Sequence, residues 1–92
     1  MVVIDMDVLK KAIDKYGHNH QLDMCVEEMS ELIKEICKKK RGSDNHAELV
    51  EELADVHIVL KQLEIICEIN PRELQGMIYQ KTERLKERMK EK

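Results

Sequence analysis

Aromatic residues, proline and glycine are scarce in this sequence of 92 residues. It has no Phe, no Trp, two Tyr, one Pro and three Gly. A sheet protein of this size would draw on aromatic and β-branched residues and would show frequent turn signals. The dominance of Leu, Ile, Met, Glu and Lys instead predicts one all-α domain over residues 1–92.

A strong charge of either sign is also missing. The 16 basic and 19 acidic residues leave a net charge of −3, so there is no basic field to neutralise phosphates along a nucleic acid. No apolar run approaches the ~18 residues of a membrane span. The three cysteines, Cys25, Cys37 and Cys67, form no CxxC pair and predict reduced, buried thiols in a cytoplasmic protein.

Apolar periodicity predicts four helices packed as a compact antiparallel bundle. Glycines at 17 and 42 follow the first and second helical patterns, where a left-handed residue can end a helix. The predicted helices are about Asp5 to Tyr16, Asn19 or His20 to Lys40, a third capped by Ser43 or Asp44, and a fourth started by Asn70 and Pro71.

The apolar residues of these helices are too widely spread for one small core. A helix that is apolar on more than one side needs neighbours on more than one side, and a chain without aromatic anchors is marginal alone. We therefore expect a homodimer or a dimer of dimers. The predicted inner faces are Leu22, Cys25, Val26, Met29, Leu32, Ile33 and Ile36 on the second helix, Leu49, Leu53, Val56, Leu60, Leu63 and Cys67 on the third, and Leu74, Ile78 and Leu85 on the fourth.

Two acidic pairs stand at i, i+3 spacing on successive helices, Glu28 with Glu31 and Glu52 with Asp55. In an antiparallel hairpin about Arg41 and Gly42, the two pairs fall at the same level, so four carboxylates are expected to converge. Glu52 also lies within the apolar arc of the third helix, where a carboxylate is costly unless it is paired or metal-bound.

Converging carboxylates need a neutralising partner, and no cluster of Arg or Lys lies on the facing turns. Hard oxygen ligands of this kind suit Mg²⁺ or Mn²⁺. Zinc is disfavoured because the four histidines show no ligand spacing. His18 and His20 are interpreted as a solvated turn with a capping role, and His57 as a half-buried histidine beside the inner face.

The two acidic segments, Glu27-Glu28-Met29-Ser30-Glu31-Leu32 and Glu51-Glu52-Leu53-Ala54-Asp55-Val56, resemble the MazG-like, all-α nucleoside triphosphate pyrophosphohydrolases. The resemblance covers roughly Gln21 to Arg88 and is to the compact single-domain members, many from phages and their bacterial hosts. It implies a helical bundle assembled from subunits, Mg²⁺ held by Glu28, Glu31, Glu52 and Asp55, and cleavage of a nucleoside triphosphate to the monophosphate and pyrophosphate. The phosphoribosyl-ATP pyrophosphohydrolases are relatives, and no residue here singles out their substrate.

Further residues are candidates for base and phosphate contacts. The K-x-x-R spacing of Lys81 and Arg84 is similar to the family's C-terminal basic element, although a snorkelling lysine would look the same. Gln21 lies where relatives place a base-contacting side chain, with a surface glutamine as the alternative. Lys34 could reach a phosphate, and helix-dipole compensation explains basic residues there equally well.

Two functions remain open at this level. The first is a Mg²⁺-dependent pyrophosphohydrolase in which Glu27 or Glu31 takes the proton of the attacking water. The second is a noncatalytic helical dimer, acting as an interaction or regulatory module, whose carboxylates form a solvated acidic ridge.

Overall fold

A computed structural model describes residues 2–91, in which α-helices are the regular secondary structure. The four helices are α1 (Met6–Tyr16), α2 (His18–Lys40), α3 (His46–Ile66) and α4 (Pro71–Met89), and no strand occurs in the described range. The prediction of an all-α chain with four helices is confirmed. None of these helices is long and apolar enough to cross a membrane, in the part of the chain that the structure describes.

Local sequence signals set most helix ends. The Asp5 carboxylate accepts a hydrogen bond from the backbone N–H of Val8 at 3.2 Å and caps α1. Asn70 caps α4 in the same way, with Pro71 in the first turn. Gly17 joins α1 to α2 with φ 92° and ψ 158°, a backbone conformation that is essentially restricted to glycine.

Two predicted boundaries are wrong. Helix α2 begins at His18, so the segment from His18 to His20 is its first turn and not a solvated turn before it. Helix α3 is preceded by Asn45 and not by a capping Ser43 or Asp44. The Asn45 side chain makes no capping bond because its amide is turned towards α2.

The buried Asn45 side chain hydrogen-bonds the segment between α2 and α3 to α2. Its Nδ2 donates to the backbone carbonyl oxygen of Glu35 and to Oε1 of the same residue, both at 2.9 Å. The donated hydrogen bond, followed by that from Lys38, holds the pKa of Glu35 below its ordinary value. One side chain thus adds a hydrogen bond to the backbone of α2 and stabilises the charge of Glu35.

The core lies where α2 packs against α3, with α1 across both. Gln21 on α2 bonds to Gln62 on α3, and Glu35 near the end of α2 meets Asn45 just before α3 begins. Residue number therefore rises along α2 as it falls along α3 at these contacts. The buried apolar side chains are Leu9, Ile13, Cys25, Val56 and Val59.

The predicted apolar faces are wider than this core. On α2, Val26 and Ile33 are 68% and 61% exposed, and on α3 Leu53 and Leu60 are 43% and 39% exposed. The prediction that they point inward is wrong within one chain, because α2 and α3 bury only a narrow seam against each other. Two of the predicted buried thiols, Cys37 and Cys67, are also exposed, and Cys25 alone is buried.

The predicted compact bundle of four helices does not form within one chain, because α4 lies apart from the other three helices. Helix α4 packs against none of α1, α2 or α3, and none of its residues is buried. Ile78 and Leu85, predicted to face inward, are each 48% exposed. His57 on α3, predicted to be half-buried, is exposed, and its Nδ1 lies 2.7 Å from the carbonyl oxygen of Leu53.

We expect Asn45→Ala to lower the free energy of unfolding by about 1 to 3 kcal/mol, because two hydrogen bonds are lost at a buried position. Urea denaturation followed by circular dichroism measures this change. Asn19→Ala, at an exposed position in α2, is the matched control and should stay within about 0.5 kcal/mol of the parent. Equal losses in the two variants would contradict the anchoring role of Asn45.

Candidate functional site

Three carboxylates from two helices meet beside the α2–α3 seam. Glu28 of α2 and Glu52 and Asp55 of α3 each offer an oxygen atom, and these atoms lie within 4.8 Å of one another. The i, i+3 spacing puts Glu52 and Asp55 on one face of α3. The packing of the two helices brings that face against Glu28. We call these three residues the carboxylate cluster.

Burial and the repulsion of neighbouring carboxylates favour the protonated forms of Glu28 and Glu52. Desolvation, a hydrogen bond with Asp55 and the charges of Asp55, Glu52 and Glu27 raise the pKa of Glu28 to about 7. Burial and the charge of Asp55 also raise the pKa of Glu52, with further contributions from Glu31 and other acidic neighbours. At neutral pH Glu28 therefore favours binding either a proton or a cation.

Glu52 supplies a second sign of an unfilled interaction. Its Oε2 is buried and has no hydrogen-bond partner among the described residues. A buried acceptor without a donor costs free energy, and a bound cation would remove that cost. An oxygen ligand of this kind suits Mg²⁺ or Mn²⁺, and no Cys or His belongs to the cluster.

The other two predicted acidic residues lie beside the cluster and not within it. Glu31 is exposed on α2, outside the group of oxygen atoms that approach to within 4.8 Å. Its charge nevertheless contributes to the raised pKa of Glu52. Glu27 is exposed as well, and its charge acts on Glu28. The expected convergence of four carboxylates is thus a group of three with two acidic neighbours.

A cavity of about 390 Å³ opens from the cluster between α1, α2 and α3. Glu28 and Asp55 form part of its wall. Most of the remaining wall is aliphatic, and its polar members are Tyr16, His20, Gln21 and Gln62. A mostly apolar cavity of this size with a few polar groups is typical of a small-molecule site.

Gln21, predicted to contact a base, lies in the wall of this cavity and is only 8% exposed. Its Nε2 donates to Oε1 of Gln62 at 3.0 Å, and its Oε1 lies 2.8 Å from Nδ1 of His20. The interpretation as a surface glutamine does not hold. Its side chain belongs to a chain of hydrogen bonds that joins α1, α2 and α3.

The predicted phosphate-binding residues are not assembled with the cluster in one chain. Lys34 is exposed on α2. Lys81 and Arg84 are exposed on α4, which does not contact the helices that carry the carboxylates. Within one chain these cations are therefore not placed at the cluster.

Sequence reasoning missed three residues of the cavity wall. The rings of Tyr16 and His20 stack with centroids 5.3 Å apart, and Gln62 is 3% exposed. The signal for Gln62 was present, because this polar residue stands three positions after Val59 on the buried side of α3. No comparable signal marks the stack, since it depends on the joint at Gly17.

Comparison with protein-family profiles, with curated proteins and with solved structures found no match. The carboxylate cluster and its cavity are therefore the features of the chain that bear on its function.

We expect the metal-free protein to lose stability as the pH rises from about 4.5 to about 7. Glu28 has its folded pKa raised above the ordinary value of 4.5, so the folded state binds the extra proton in this window. Glu35, whose pKa is lowered, acts in the opposite sense and below this window. Thermal melting in a chelator at several pH values measures the slope.

Glu28→Gln should flatten this decline because the titrating group is removed. Glu48→Gln, at an exposed position on α3, is the matched control and should keep the slope of the parent. Parallel curves for the parent and Glu28→Gln would refute the role of Glu28.

Proposed function

We propose that the protein is a Mg²⁺-dependent nucleotide pyrophosphohydrolase, which cleaves a ribo- or deoxyribonucleoside triphosphate to the monophosphate and pyrophosphate. The observation that carries this proposal is the carboxylate cluster beside a mostly apolar cavity. The carboxylate cluster suits a cation and phosphate oxygens, and the cavity suits a flat, weakly polar ring. The resemblance of the two acidic motifs to the MazG-like enzymes supports the same conclusion.

The residues that would hold Mg²⁺ are Glu28, Glu52 and Asp55, with Glu31 as a fourth ligand from the α2 surface. Mg²⁺ usually keeps several waters and is held by carboxylates together with substrate phosphates. The donor set fits that preference, and Mn²⁺ accepts the same ligands. Once bound, the ion would offset the charge of the triphosphate and favour ionisation of water.

The chain's own groups account for the remaining chemistry. Glu27 or Glu31, both exposed beside the cluster, would take the proton of the attacking water. The water oxygen bonds to the phosphorus at one end of the bridge between the α- and β-phosphates. The bond from that phosphorus to the bridging oxygen breaks, which releases pyrophosphate. The apolar wall of the cavity would hold the nucleobase and exclude solvent from one side of the reaction.

We also propose that a second chain completes the bundle, as a homodimer or a dimer of dimers. In this arrangement α2 and α3 form an antiparallel hairpin, and α4 of the partner covers their exposed aliphatic side chains. Val26 and Ile33 on α2 and Ile78 and Leu85 on α4 all leave apolar surface uncovered in one chain. Lys81 and Arg84 of α4 would then approach the acidic cluster of the other chain.

We expect Glu52→Gln to abolish pyrophosphate release and to raise the melting temperature of the metal-free protein. The substitution removes a ligand and also relieves repulsion among the carboxylates. Pyrophosphate release and thermal melting, each with and without Mg²⁺, measure the two effects. Glu48→Gln is the control and should match the parent in both. Activity of Glu52→Gln equal to that of the parent would refute the metal-site assignment.

We expect Lys81→Ala to lower kcat/KM by about tenfold to hundredfold, because one charge-assisted contact to phosphate is lost. Mg²⁺ affinity should change little, since lysine offers no ligand to a cation. Lys86→Ala, an exposed neighbour on α4 that pairs with Glu83, is the control. Equal kcat/KM values for the two lysine variants would remove Lys81 from the site.

A subunit-mixing experiment tests whether the site is shared. Glu52→Gln and Lys81→Ala chains, each impaired alone, should regain activity when unfolded together and refolded as a mixture, because one site of a mixed dimer is intact. A mixture no more active than its components would contradict a shared site.

The rival proposal is a noncatalytic helical dimer with an acidic surface. It predicts no effect of Mg²⁺ on the melting temperature, whereas an ion that binds only the folded state must raise it. The buried, unpartnered oxygen of Glu52 favours the metal-dependent enzyme over this alternative.

A further inference from the structure

A chain of hydrogen bonds runs along the cavity wall from α1, through Gln62 of α3, to α2. Nε2 of Gln62 donates to the backbone carbonyl oxygen of Leu9 at 3.3 Å. Nε2 of Gln21 donates to Oε1 of Gln62 at 3.0 Å, and Oε1 of Gln21 lies 2.8 Å from Nδ1 of His20. Leu9, His20, Gln21 and Gln62 all line the cavity.

The direction of this chain is fixed at one end. A backbone carbonyl can only accept, so Gln62 must present its N–H group to Leu9 and its oxygen to Gln21. Gln21 must then donate to Gln62, which leaves its own oxygen facing His20. An imidazole nitrogen that faces an amide oxygen at 2.8 Å has to carry a proton.

The geometry therefore points to an Nδ1–H tautomer of His20, held by Gln62 acting through Gln21. The stack with Tyr16, at an interplanar angle of 29°, further restricts the ring. In the neutral imidazole with Nδ1 protonated, Nε2 is a hydrogen-bond acceptor. No described residue donates a hydrogen bond to it.

We propose that this amide relay sets the selectivity of the cavity, which accepts a flat heteroaromatic ring that donates an N–H from its edge to Nε2 of His20. The identity of that ring as a nucleobase rests on the proposed function. A pyrimidine held with its 4-position against Nε2 distinguishes the two bases, because cytosine presents an amino group there that donates, whereas uracil presents a carbonyl oxygen that can only accept. Gln62 is then a positioning residue, and cytosine-type edges are preferred over uracil-type edges.

The first test measures the tautomer directly. Long-range ¹H–¹⁵N correlation spectra of the full chain at alkaline pH, where imidazoles are neutral, distinguish protonated from unprotonated ring nitrogens. The His20 signals are assigned by their loss in His20→Asn. The parent should show protonated Nδ1, and Gln62→Met should show a mixture of tautomers because Gln21 becomes free to rotate. Gln75→Met, an exposed glutamine on α4, should match the parent.

A parent ring protonated at Nε2, or a Gln62→Met spectrum identical to that of the parent, would overturn the relay. Circular dichroism confirms that the variant is folded. If Gln62→Met fails to fold, Gln21→Met removes the acceptor itself and is judged by the same mixture of tautomers. The parent spectrum decides the tautomer whatever the variants do.

The second test measures selectivity without catalysis. Cytidine monophosphate, titrated without metal, should shift the Nε2 signal of His20 and bind about tenfold more tightly than uridine monophosphate, the size of one hydrogen bond. Gln62→Met should remove this difference. Equal affinities in the parent would overturn the selectivity. Selective binding by a protein that hydrolyses no triphosphate would refute the proposed enzymatic activity and leave the amide relay standing. Hydrolysis without selective binding would refute the role of the relay in selectivity and leave the enzymatic activity standing.

Discussion

Three carboxylates that repel one another stand at the contact of α2 with α3. Glu28, Glu52 and Asp55 approach one another in a partly desolvated place, where like charges interact far more strongly than in water. The surrounding contacts must hold the helices together against this force. Val56 and Val59 are buried on α3, the helix that carries Glu52 and Asp55, and their apolar packing supplies part of the attraction that opposes this repulsion.

Two polar anchors lie on either side of the cluster along α2 and α3. Gln21 meets Gln62 in one direction along the helices, and Glu35 meets Asn45 in the other. Both contacts are buried, and both join distant parts of the sequence through side chains whose hydrogen-bonding geometry is specific. The repelling groups therefore sit between two points at which the spacing of the helices is fixed.

Much of this arrangement could be predicted from the sequence, because helix geometry is local. The i, i+3 spacing of Glu52 and Asp55, the position of Glu52 in an apolar arc and the caps at Asp5 and Asn70 all follow from patterns within one or two turns. The isolation of α4 did not follow. An amphipathic pattern shows that a face needs a partner, and it does not show which chain provides that partner.

Other misses have the same physical origin. Asn45 was overlooked because its role depends on Glu35, ten positions away in sequence, and its local context resembles an ordinary helix cap. Glu31 was placed with the other carboxylates because spacing defines a common face, while the exact approach of the side chains depends on how the two helices pack.

The position of Gly17 between α1 and α2 separates the shape of the cavity from the geometry of the carboxylate cluster. Helix α1 forms one wall of the cavity, and Gly17 is the single residue that joins it to α2. No neighbouring atom lies within 4 Å of a side chain placed there, so the restriction comes from backbone conformation and not from lack of space. Substitutions at this joint can reshape the cavity while the cluster, built wholly on α2 and α3, keeps its geometry. The choice of ligand can thus evolve independently of the chemistry performed on it.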